Sequence, residues 1–167
     1  MLTLPATPKN IDDLPWAEVN QAIDQLREQF GQTTLAARMT DEQIELIYGF
    51  AYDMHIQGKF DIAIKLLKLI MVYRPFDARI LLALGLNLKR TGSYTEAVMV
   101  LSAALAVSNG DLTPAIHVAE CLTAMGEVEA CFEILDPLIK LSGMDSAYTS
   151  LHKRAESLRA FINSQSV

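Results

Sequence analysis

A chain of 167 residues is long enough to bury one substantial core, and its make-up, 51% hydrophobic and 20% charged with only 8 Gly and 6 Pro, excludes a disordered, collagen-like or linker-rich polymer. Leu, Ala, Ile and 7 Met outweigh β-branched and aromatic runs, which predicts an all-α fold. The net charge of −6 hides a basic middle, with 3 basic and 9 acidic side chains within 1–58 (net −6), 7 and 2 within 59–90 (net +5) and 4 and 9 within 91–167 (net −5), a balance that argues against nucleic acid as a partner.

The first ten residues carry one Lys and lack the apolar stretch of a signal peptide. The longest apolar run, Ile80–Leu86, falls far short of the roughly 18 residues of a membrane span, so a cytoplasmic protein is expected. Trp16, Val19, Ile23, Leu26 and Phe30, spaced 3, 4, 3 and 4 apart, predict an amphipathic helix. Thr40 and Gln43 form the pattern of a capping box opening the next helix.

From there the chain repeats itself. Gly58, Gly92 and Gly126 stand 34 residues apart, each followed by the start of a new apolar pattern, and 34 is the tetratricopeptide period. Units 44–77, 78–111 and 112–145 follow without insertion, predicting three helix-turn-helix repeats in a short right-handed superhelix within a single domain. Small residues at repeat position 8 (Ala51, Gly85, Ala119) face small residues at position 20 (Ala63, Ala97, Cys131), allowing close helix approach. Bulkier packing is expected beside them at Phe50, Leu84 and Val118 and at Leu67, Leu101 and Leu135. Pro75 closes the first unit, where Asn109 and Gly143 stand in the other two, and Pro137 is expected to kink or shorten the last repeat helix. Tyr148, Leu151, Ala155, Leu158 and Ile162 predict a capping helix over 146–163, after an arm and helix over 1–40 that covers the other end or joins two copies.

Catalytic signatures are missing. His55, His117 and His152 fall on different predicted helices, and His117 with Cys121 lacks a third ligand, so neither metal, cofactor nor enzyme activity is expected. Cys121 and Cys131 read as reduced core residues. The informative positions are 2, 5, 9 and 12 of each repeat, which project from its first helix into the concave face. They hold Glu45, Tyr48, Tyr52 and His55, then Arg79, Leu82, Leu86 and Lys89, then Thr113, Ile116, Glu120 and Thr123. An apolar strip flanked by Arg79, Lys89 and Arg90 suits a peptide-binding groove; the competing reading is that the leading helix or a dimer partner covers it.

Several stretches exceed what a generic repeat demands: Ile47–Tyr52, Asp77–Arg79 through Leu84–Gly85, Gly31–Ala36, and above all His117-Val118-Ala119-Glu120-Cys121-Leu122 followed by Met125-Gly126-Glu127. In these the chain resembles the class II chaperones of bacterial type III secretion, the LcrH/SycD type. The resemblance implies a cytosolic, non-enzymatic partner that holds an extended segment of a hydrophobic translocator in its groove before export. It matches Tyr48 to a groove tyrosine and Leu82 to a groove leucine, with Tyr52 and His55 at later aromatic positions, His55 departing from the usual aromatic. It also implies dimers through the N-terminal helix, here Trp16, Val19 and Ile23, and in some members help to a transcription activator. The alternative is a scaffold or chaperone for another secretion component, a needle subunit or a small exported protein.

Overall fold

A computed structural model describes residues 39–165. The expected leading helix, with Trp16, Val19 and Ile23, lies outside the described residues. Within them the chain forms seven α-helices, one 3-10 turn and no strand: α1 (Asp41–Ile56), α2 (Phe60–Met71), α3 (Ala78–Arg90), α4 (Tyr94–Val107), α5 (Thr113–Met125), α6 (Val128–Ser142) and α7 (Thr149–Gln165), the last preceded by the turn Ser146–Tyr148. The all-α, tetratricopeptide expectation holds. Each helix packs on the next in the chain, making three consecutive hairpins, and α7 rests on α6 and reaches back to α5.

Local chemistry sets the helix ends. Thr40 Oγ1 accepts from the Gln43 N–H at 3.3 Å while Gln43 Oε1 accepts from the Thr40 N–H at 2.9 Å, the reciprocal capping box that starts α1. Asp77 caps α3 by accepting from the N–H groups of Arg79 and Ile80. The 34-residue glycines all turn the chain between the two helices of a hairpin, with φ of 72°, 78° and 78°. Asn109, standing where the first repeat has Pro75, also takes a left-handed conformation at φ 52°.

Leu67, Ile70, Ile80, Leu84, Leu101, Ile116 and Leu135 are fully buried and run through the stack as one core. Gly85 of α3 lies against Leu101 of α4, at a distance only a residue without Cβ permits.

Two packing expectations need correction. Phe50, expected in the core beside Leu84 and Val118, is 53% exposed, because it shares the face of α1 that carries the exposed Leu46, Gly49 and Asp53 and not the one buried at Ile44 and Ala51. Pro137 does not shorten its helix: α6 runs through it to Ser142. The carbonyl that Pro137 deprives of a donor belongs to Glu133, and both residues lie on the exposed side, so the missing bond does not fall in the core. Among the described residues no helix is long and apolar enough to cross a membrane.

Candidate functional site

The first helices of the first two hairpins, α1 and α3, lie side by side and enclose a cavity of about 250 Å³. Tyr48, Tyr52 and His55 line it from α1 and Arg79, Leu82 and Leu86 from α3. All six were expected to face the groove. Four further lining residues were not: Ala51 and Ala83 are small enough to open the space, Leu67 of α2 lies beneath, and Asn87 completes the α3 wall.

His55, Asn87 and Arg79 are paired with neighbouring polar groups. His55 Nδ1 lies 3.0 Å from Asn87 Oδ1, and Asn87 Nδ2 donates to the Ala83 carbonyl at 2.8 Å. The His55 ring meets Phe60 edge-on, with centroids 5.5 Å apart. At the rim Arg79 donates to Glu45 at 2.7 Å and to Asp77 at 3.1 Å, and its guanidinium stands 5.5 Å from the centre of the Tyr48 ring. Those hydrogen bonds, to Glu45 and then Asp77, hold Arg79 protonated far above ordinary pH. Burial pushes the Tyr48 phenol up, an effect the Arg79 charge only partly offsets. Arg79 is therefore a neutralised rim element rather than an open cation for an acidic guest.

Three expected groove residues are placed elsewhere. Ile116 is fully buried on α5, which packs against α4, α6 and α7, whereas Thr113, Glu120 and Thr123 of the same face are partly exposed. Lys89 and Glu120 join a polar cluster instead of flanking a trough. Lys89 Nζ donates to Glu120 at 2.5 Å and lies 3.0 Å from His117 Nδ1, itself 3.2 Å from the same Glu120 oxygen, while Arg154 Nε of α7 reaches the other Glu120 oxygen at 2.7 Å. Burial alone would raise the Glu120 carboxyl, but hydrogen bonds with His117, Lys89 and Arg154 together with the Lys89 charge outweigh it and hold the pKa at about 2. The cluster ties α3, α5 and α7 together. Thr113 and Thr123 are likewise spent locally, on Asp111 and on the Ala119 carbonyl.

Asn87 was legible only as a polar residue in an apolar helix; its pairing with a histidine 32 positions away was not. Cys121 and Cys131 are free and buried, and burial pushes both thiols up. Among the described residues no group of three or more His, Cys, Asp or Glu side chains could hold a metal ion.

No protein-family model matches the sequence. The chain is 24% identical over 111 residues to low calcium response locus protein H of Yersinia pestis, and the match covers 66% of each chain, just under two thirds of that protein. Among solved structures it is similar to PcrH of Pseudomonas aeruginosa, solved in complex with the chaperone binding region of PopD. The TM-score is 0.71 at 21% identity, covering 78% of this chain and 98% of that one. It is similar also to the Yersinia enterocolitica type III secretion chaperone SycD, solved with a peptide of the translocator YopD. There the TM-score is 0.71 at 23% identity, covering 78% and 99%. The fold is shared with these secretion chaperones.

Proposed function

We propose that this chain is a cytoplasmic, non-enzymatic chaperone of bacterial type III secretion that holds an extended segment of a translocator protein in the trough between α1 and α3. One observation carries the reading: an open cavity of about 250 Å³, walled by tyrosine and leucine side chains, on the inner helices of a fold whose relatives were solved with translocator segments. A cavity of this kind takes one bulky side chain at a time, the way an extended guest anchors itself, while the preformed helices need no ordering on binding. The charged rim is already paired, so the guest's apolar side chains, not its charges, supply the affinity. Pairing of two copies through Trp16, Val19 and Ile23 belongs to the same reading, SycD having been solved as an alternative dimer.

The test is co-expression with a translocator of the same secretion system, comparing the native chain with Leu86→Glu. Leu86 lines the cavity and is only half-buried, so the substitution leaves the core intact. Loss of one buried anchor, about 1–3 kcal/mol, lowers affinity roughly 5- to 150-fold while the helical circular dichroism spectrum is unchanged. Equal recovery of the translocator with both chains would remove the trough from the binding site.

A further inference from the structure

The cavity carries a polar device that an apolar anchor site does not require. Asn87 is 2% exposed, yet both ends of its amide are engaged, one by the Ala83 carbonyl at 2.8 Å and one by His55 Nδ1 at 3.0 Å. A carbonyl can only accept, so the Asn87 atom facing Ala83 is its NH₂ and the atom facing His55 is its oxygen. That oxygen in turn can only accept, so His55 Nδ1 bears the proton. In the neutral imidazole Nε2 is then left as an acceptor. His55 lines the cavity together with Leu82, Leu86, Tyr48 and Tyr52, and Arg79 at its rim is occupied by Glu45 and Asp77.

We infer that His55 is a specificity-determining residue of this pocket: held in one tautomer by Asn87, it selects a guest side chain that joins an aromatic body to a hydrogen-bond donor, tyrosine or tryptophan, over phenylalanine or an aliphatic anchor. A guest without the donor strips water from Nε2 and returns nothing, which is how sites built around a buried polar group reject analogues that lack its partner. The inference rests on the groove reading and adds the class of side chain the groove prefers.

Side-chain analogues separate the two ideas. The full-length ¹⁵N-labelled protein is titrated with 4-methylphenol and with toluene, which differ by one hydroxyl, and the amide resonances of Ala51 and Ala83 are followed. Both probes shift those resonances, 4-methylphenol binds roughly 3- to 10-fold more tightly, and His55→Phe binds the two alike. A long-range ¹⁵N–¹H spectrum of the unsubstituted protein shows the Nδ1–H tautomer of His55, a result that does not depend on the variant folding. Equal affinity for both probes, or an Nε2–H tautomer, overturns the inference and leaves the groove standing. If neither probe shifts the two alanines, the groove reading falls and the inference with it.

Discussion

Gly85 and Leu101 are packed so closely across α3 and α4 that a Cβ added to the glycine would stand 2.4 Å from Leu101 Cγ. Leu101 is fully buried and has nowhere to move. Gly85→Ala therefore costs about 1–3 kcal/mol of stability, read as a lowered urea midpoint with unchanged slope. Because the damage is a two-body clash, Leu101→Ala in the same chain costs less on the Gly85→Ala background than on the native one. Additive losses would mean that the glycine is not required by close approach.

Glu120 gives the stack an acid-sensitive joint. Its pKa, held at about 2 against an ordinary value of 4.5, is depressed by folding. The sign follows: the stabilisation is complete above about pH 4.5 and is lost as pH falls toward 2. With its side chain 24% exposed, the carboxylate contributes on the order of 2–3 kcal/mol. Glu120→Gln loses that amount at pH 7, and the gap between variant and native protein closes as the medium approaches pH 2. Denaturant melts of both proteins across that range measure it; a gap independent of pH would show that the ion cluster with Lys89 and Arg154 is not its source.

Gly126 isolates a backbone effect from a packing one. Its φ is 78°, it closes α5, and a Cβ there meets nothing within 4 Å. Gly126→Ala costs about 1–2 kcal/mol from the left-handed conformation alone. Gly126→Asn, which tolerates that conformation, costs measurably less in the same thermal melt. Equal losses would point to a contact rather than to φ.

What was readable in the chain divides along physical lines. The turns were legible because one residue type decides each of them: Gly58, Gly92 and Gly126 carry the period and the positive φ together. The capping box of Thr40 and Gln43 was legible for the same local reason. The half of the candidate site on α1 and α3 followed from helical spacing. Ile116 shows the limit of that method: its helix position matches that of Leu82, but it is fully buried in a helix that α7 packs against, a fact contained only in the packing of distant segments. Lys89 and Glu120 were read as groove residues because spacing reveals direction and not partners, and Arg154, 34 residues beyond Glu120, supplies the missing one. Phe50 fits a repeat consensus, but its place on α1 lies on the exposed side with Leu46 and Asp53. Asn87 escaped because its value lies in a bond to His55 that no local pattern encodes.

The most direct measurement places a photo-crosslinking amino acid at Tyr52 or Leu82, on the two walls of the cavity, and at Glu133, exposed on α6, in a chain co-purified with its translocator. A guest held in the trough gives crosslinks from Tyr52 and Leu82 that map to one short, extended stretch of the translocator, and none from Glu133. Crosslinks from Glu133 with silence at both cavity positions would contradict binding between α1 and α3.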